Sequence, residues 1–188
     1  MPRAPRQLAP DALYHVIGKA TGADCLYVSS EDYRHFLRLL EQVALRFGWR
    51  CRIYCLLGTH YHLMVATPEP NLARGMHRLN GLYAQAFNRR HKRWGHLFGD
   101  RYYSLVVRRE AHTLELVRYI ALNPVRAGLC ATPERWPWSS YAATIGNATP
   151  PPFLDSDEIL LWLSPSREVA IRRLRAFVDD SFATRDGV

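Results

Sequence analysis

The stretch WRCRIYCLLGTHYHLMVAT, residues 49–67, decides the fold. In its first half Arg50, Arg52 and Tyr54 alternate with Cys51, Ile53 and Cys55, the period-two pattern of a strand. Gly58-Thr59 offers a turn, and HYHLMVAT (60–67) reads as a second strand, so the two predict a hairpin. Upstream, ALYHVIG (12–18) and CLYVS (25–29) read as short strands around a glycine-containing turn. Ser30 then opens a helix to about Phe47, with Phe36, Leu39, Leu40, Val43 and Phe47 at helical spacing and Gly48 as its stop. After PEP (68–70) comes a long helix over 71–90, with Leu72, Met76, Leu79, Tyr83 and Phe87 as its stripe.

LFGDRYYSLVV (97–107) is strand-like at its C-terminal end, and a helix over about 111–123 stops at Asn123-Pro124. ERWPWSSYAAT (134–144) is a tryptophan-rich loop entering a helical turn, and DSDEILLWL (155–163) and SREVAIRRLRAFVDD (166–180) are terminal helices. Hairpins mixed with helices predict an α+β fold, an antiparallel sheet with helices packed on it. The break at ATPPPF (148–153) divides a domain over 1–147 from a C-terminal helical extension over 148–188.

Lys and Arg number 25 against 17 Asp and Glu, a formal charge of +8. That excess points to a polyanionic partner, nucleic acid ahead of a membrane surface. No apolar run is long enough to span a bilayer, and MPRAPRQLAP lacks the apolar segment of a signal peptide, so a cytoplasmic protein is expected. Cys25, Cys51, Cys55 and Cys130 form no CxxC pair and read as reduced thiols.

On a strand His60 and His62 share one face, roughly 7 Å apart at Cα, while Tyr61 faces the other way into the core. Two imidazoles so placed can hold one cation, or they can simply be a hydrogen-bonded pair. Cys51 and Cys55 share a face in this reading, but four residues of extended strand put them about 13 Å apart, too far for one zinc ion. In LELVRYIALNPVRAG (114–128), Leu114, Val117 and Ala121 form a stripe, and Glu115, Tyr119 and Asn123 lie on a line roughly opposite it. Tyr119 could serve as a nucleophile and Asn123 as an oxygen ligand, or they are a surface tyrosine and a helix-end asparagine. Arg89, Arg90, Lys92, Arg93, Arg101, Arg108 and Arg109 interleave with Trp94, Tyr102 and Tyr103, which suits a nucleic-acid backbone and unpaired bases as well as it suits a solvated helix end.

Taken in order, HYHLMV, GLYAQAFNRRH, GHLFGDR, RYIALNPVRAGL and WPWSSY resemble the REP-associated tyrosine transposases, relatives of the transposases of the smallest bacterial insertion sequences. The resemblance covers roughly residues 10–145. It implies an HUH-type single-strand DNA nuclease on a ferredoxin-like α+β fold, with helices packed on one face of the sheet. It implies that His60, His62 and Asn123 hold a divalent cation, Mg²⁺ or Mn²⁺, and that Tyr119 is the nucleophile that forms a 5′-phosphotyrosine. Its substrate type is single-stranded DNA with a hairpin, held by the basic residues above, by Tyr102, and by Arg118 and Arg126. Relatives include monomers and homodimers, and a non-catalytic, domesticated hairpin-binding protein is the alternative. Trp136 and Trp138 are candidates for base stacking or for packing. Two departures stand out: LLGTHYH where the family often has MPNHxH, and GKATG where it commonly has RGN after the first strand. Neither removes a proposed site residue; the second bears on how a hairpin or guide sequence is held.

Overall fold

A computed structural model describes residues 8–108 and 110–183. In chain order it contains β1 (Ala12–Lys19), α1 (Ser30–Phe47), β2 (Arg50–Leu56), β3 (His60–Thr67), α2 (Leu72–Arg90), β4 (Tyr103–Val106), α3 (Glu110–Arg126), α4 (Tyr141–Thr144), α5 (Asp157–Leu163) and α6 (Arg167–Ala183). The four strands form one antiparallel sheet in the order β2-β3-β1-β4. That order, reached through β1α1β2β3α2β4, is the ferredoxin-like arrangement.

The hairpin at 49–67 closes as its pattern predicts, with Leu57 N–H donating to the His60 carbonyl at 2.8 Å. CLYVS does not form the expected strand. Its residues 26 and 27 donate their backbone N–H groups to the Gly58 carbonyl, at 2.8 and 3.4 Å, and the Leu26 carbonyl accepts the Tyr83 hydroxyl. Leu26 and Tyr27 are buried as strand residues would be, whereas Val28 is exposed, and the backbone docks on a turn and a side chain instead of a ladder. The N-cap of α1 is Ser29, whose backbone N–H donates to Asp32 Oδ2 at 2.9 Å in a capping box, one residue before the expected Ser30.

The two faces of the sheet bury different helices. Tyr14, Val16, Tyr61, Leu63, Val65, Tyr54 and Leu56 face α1 and α2. Ile53, Cys55 and Met64 face α3, through Leu116, Val117, Ile120 and Ala121, with Ile159, Leu174 and Val178 of α5 and α6 completing that core. The expected alternation in β2 breaks at one point. The register with β3 shifts between Cys51 and Ile53, so Arg52 is the extra residue of a β-bulge. Cys51 and Cys55 therefore lie in cores on opposite sides of the sheet, which corrects the expectation that they share a face. Arg52 is buried and pairs with Asp155 at 2.7 Å and with Glu158. Beside it, Cys51 N–H donates to Phe153 O and Asp155 N–H to Cys51 O, while Leu56 N–H donates to Trp138 O. The outer edge of β2 is thus closed by later chain. Trp136 Nε1–H donates to Leu56 O at 2.9 Å and Trp138 stacks on Tyr33 at 4.5 Å, so both tryptophans pack.

Helix α3 does not stop at Asn123. It continues through Pro124 to Arg126 and ends in a Schellman turn, with Gly128 at φ 69°. Leu129 N–H reaches Pro124 O at 2.9 Å and Gly128 N–H reaches Val125 O at 3.0 Å. A proline near a helix end removes one amide donor, and the capped final turn outweighs that loss.

Candidate active site

The pairing of β1 with β3 places Ile17 opposite His62 and Lys19 opposite His60. Cross-strand partners share a face, so His15, Ile17 and Lys19 line up beside His60 and His62. The pairing of β1 with β4 sets Tyr103 opposite Ile17 on that same face. Helix α3 covers the β2 side of this face and delivers Tyr119 over the histidines. The Tyr119 ring stands edge-on to His62 with centroids 5.4 Å apart and edge-on to His15 at 6.4 Å. His60 and His62 meet edge-to-face at 5.1 Å. Tyr119 is 39% exposed, and the Arg126 guanidinium lies 5.5 Å from its ring centroid. Asn123, one turn beyond Tyr119, donates its Nδ2 to the Tyr119 carbonyl at 2.9 Å, which leaves Oδ1 as an acceptor. Tyr61 faces the opposite core as expected, with its hydroxyl donating to Asn80 Oδ1 at 2.8 Å.

His15 is the site neighbour that the sequence reading missed. Its Nε2 lies 3.0 Å from His62 Nδ1, with the two ring planes 18° apart and the centroids at 5.2 Å. Burial, then the charge of His112, lowers the His15 pKa to about 4. Burial, reinforced by His15, His60 and Lys19, lowers that of His62 to about 3. His60 is lowered too, by burial and then by Lys19. All three are therefore neutral near pH 7, with ring nitrogen lone pairs that a cation can use. His62 Nε2 is buried with no hydrogen-bond partner, and His60 Nδ1 engages Thr59 Oγ1 at 3.1 Å. Among the described residues no cluster of three or more His, Cys, Asp and Glu side chains could hold a metal ion. The donors expected from the sequence, His60, His62 and Asn123, are two imidazoles and an amide with no thiol, chemistry that suits a divalent ion. The thiols of Cys51 and Cys55 are both pushed up to about 12 by burial, which keeps them protonated.

Beside Tyr119 opens a cavity of about 330 Å³, lined by His112, Glu115, Leu116, Arg118, Tyr119 and Arg126. Arg118 pairs with Glu115 and lies over the Phe177 ring at 4.7 Å. The other basic residues gather elsewhere. Arg89 and Lys92 are exposed at the end of α2, where Arg90 pairs with Asp32 at 3.0 Å and Arg93 pairs with Asp24. The loop after α2 carries Trp94, 93% exposed, and then runs along the end of β1. There Thr21 N–H donates to Leu97 O at 2.9 Å and Gly99 N–H to Lys19 O at 3.2 Å, which links this basic segment to the sheet end that holds His60. Arg101 and Arg108 are exposed, and Arg109 lies outside the described residues. Tyr102 does not reach the surface where it was expected: it is buried in the α1–α2 core. Its neighbour Tyr103 is 58% exposed on the histidine face, because adjacent strand residues point to opposite sides.

No helix among the described residues is long and apolar enough to cross a membrane. The fold is similar to that of a REP-associated tyrosine transposase bound to a REP hairpin, with a TM-score of 0.69 at 15% identity over 80% of this chain and 89% of that one. A Deinococcus radiodurans R1 protein assigned as a transposase aligns at a TM-score of 0.44, 18% identity, over 63% of this chain and 95% of that one, too loosely to carry an argument. None of the curated proteins compared with the chain matches it. The family model described as "Transposase IS200 like" matches residues 13–123, more than half of the chain and the span from β1 to Asn123. The chain belongs to the IS200-like transposase family.

Proposed function

We propose that the protein is a metal-dependent single-stranded DNA transposase that cleaves and rejoins DNA beside hairpins through a 5′-phosphotyrosine. The observation that carries this reading is the Tyr119 ring standing edge-on to His62 at 5.4 Å, with Asn123 one helical turn away. Tyr119 Oη attacks the scissile phosphorus, forming the tyrosyl–phosphate bond and breaking the bond to the 3′-oxygen. The phenol loses its proton and the departing 3′-oxygen gains one. The phosphoester is conserved in the covalent link, so a second 3′-hydroxyl can attack it and release Tyr119, which allows strand transfer without an external energy source.

His60, His62 and Asn123 would hold the divalent ion, Mg²⁺ or Mn²⁺, which when bound supplies Lewis-acid polarisation of a non-bridging phosphate oxygen. Arg126 and Arg118, which line the cavity beside Tyr119, hold the anionic backbone. A single strand is required at the reacting phosphate, and Tyr103 offers an exposed aromatic surface on the same sheet face for one of its bases. The basic residues at the end of α2, with Arg101, Arg108 and Arg109, serve the hairpin. Support for a hairpin comes from the structurally similar transposase, which is itself bound to one.

The test is a denaturing gel after incubation with a hairpin-tailed single-stranded oligonucleotide and Mn²⁺. A covalent protein–DNA adduct that disappears in Tyr119→Phe is expected. Binding without an adduct would favour a non-catalytic hairpin-binding protein, and an adduct that survives Tyr119→Phe would place the nucleophile on another residue.

A further inference from the structure

We infer that His15 is a positioning residue that fixes the tautomer of His62, so that the Nε2 lone pair of His62 points into the site. This rests on the metal-dependent reading above. The contact between His15 Nε2 and His62 Nδ1, at 3.0 Å, needs exactly one proton between two neutral rings. If His62 Nδ1 carries it, His62 donates to His15 and its own Nε2 is a bare lone pair. If His15 Nε2 carries it, His62 Nε2 becomes an N–H and presents a donor to the site, which repels a cation.

Three observations favour the first arrangement. His62 Nε2 is the buried ring nitrogen left without a partner, so it is the valence left open for an ion. His60 meets the His62 ring edge-to-face at 5.1 Å, so a second imidazole stands within reach of a shared ion. His15 itself is 8% exposed and its ring plane lies 18° from that of His62, so burial restrains the hydrogen-bonded pair. Metal-binding histidines commonly donate their second nitrogen to a carboxylate or carbonyl. Here the acceptor is a third imidazole, from the strand next to the one that carries the ligands.

The experiment compares His15→Ala, His15→Phe and His15→Gln. Gln offers an amide oxygen as acceptor; Phe keeps the ring volume and offers none. Two readouts are used: Mn²⁺ titration followed by electron paramagnetic resonance, and long-range ¹H–¹⁵N NMR of the metal-free protein, which assigns the tautomer of His62. The wild type is expected to show His62 protonated at Nδ1. His15→Ala and His15→Phe are expected to weaken Mn²⁺ binding by about 10–100-fold and to shift His62 toward the Nε2–H tautomer, with His15→Gln restoring most of both. Hairpin binding in chelator is expected to stay unchanged, which shows that the variants fold. Wild-type His62 protonated at Nε2, or Mn²⁺ affinity unchanged in His15→Phe, or Gln no better than Phe, would overturn the inference. Loss of the metal reading itself has a different signature: the wild type would bind no more Mn²⁺ than His60→Ala or His62→Ala.

Discussion

Gly18→Ala offers a sharp test of how the sheet holds the candidate site, because Gly18 faces Tyr61 across β1 and β3 and Tyr61 sits between the two histidines. A Cβ built at Gly18 would lie 2.5 Å from Tyr61 Cε1, with Cζ and Oη closer still. Ordinary carbon contacts are about 3.5–4.0 Å, so the ring must retreat by about 1 Å. Tyr61 is fully buried, with Phe36 and Phe98 in contact with its ring. Overpacking of this kind costs about 1–3 kcal/mol. The same shift disturbs the 2.8 Å bond from Tyr61 Oη to Asn80, adding up to about 1 kcal/mol. Against this, alanine restricts the unfolded chain and returns about 0.4–1 kcal/mol. The net loss is about 2 kcal/mol, or roughly 4–8 °C in Tm for a chain of this size.

Urea unfolding of a double-mutant cycle with Tyr61→Leu measures it. In the Tyr61→Leu background the alanine has room, and Gly18→Ala should be neutral or slightly stabilising. An equal cost for Gly18→Ala in both backgrounds would refute the packing argument.

Three further predictions concern other parts of the molecule. Asp32→Asn should lower the free energy of unfolding by about 2 kcal/mol near neutral pH. Burial acts to raise the Asp32 pKa, yet bonds from His91, Ser29 and Val28 overcome it and hold the carboxyl below its ordinary range. A depressed carboxyl pKa contributes stability that is full above the unfolded pKa and lost as pH falls through the folded one. The gap between wild type and Asp32→Asn in pH-dependent urea melts should therefore close on acidification, and a constant gap would contradict the assignment. Tyr103→Ala should weaken binding of a single-stranded oligonucleotide by about 1–3 kcal/mol with little change in Tm, whereas Tyr102→Ala should chiefly lower Tm; fluorescence anisotropy and thermal melts separate the two, and the reverse pattern would place the DNA-facing aromatic at Tyr102. Arg89→Ala and Lys92→Ala should each reduce the slope of log K against log salt by roughly 0.7–0.9, and an unchanged slope would remove the end of α2 from the DNA path.

How much was legible in the sequence depended on the distance over which each feature is decided. That His60 and His62 share a face follows from two residues of strand, and that Tyr119 and Asn123 share a line follows from four residues of helix. His15 could be seen to alternate with Tyr14 and Val16, but its contact with His62 needs the register of β1 against β3. That register is fixed by pairings between chain segments about 50 residues apart. The separation of Cys51 from Cys55 was hidden for a similar reason: the bulge at Arg52 accompanies ion pairs to Asp155 and Glu158, about a hundred residues further on. CLYVS has strand composition without a strand partner. Asn-Pro reads as a stop, yet the turn to Gly128 carries α3 one step further and keeps Arg126 on the helix, over the Tyr119 ring.

The placement of the histidines follows from the unequal covering of the sheet. On the α1–α2 face Tyr14 and Val16 of β1 are fully buried and pack, the Tyr14 hydroxyl also accepting from Ala9 N–H at 2.9 Å. On the other face α3, backed by α5 and α6, covers β2 and β3 but leaves β4 open, with Tyr103 and Leu105 exposed. His15 and His62 lie along the boundary between these halves. They are buried enough to lose their protons at neutral pH, while their strand neighbour Tyr103 stays exposed. The helix that sets the boundary is the one that carries Tyr119, and its inner residues Val117, Ile120 and Ala121 share a core with Ile159, Leu174 and Val178. The C-terminal helices therefore act on the site through packing: they hold α3 against the sheet at the point where its exposed side presents the tyrosine.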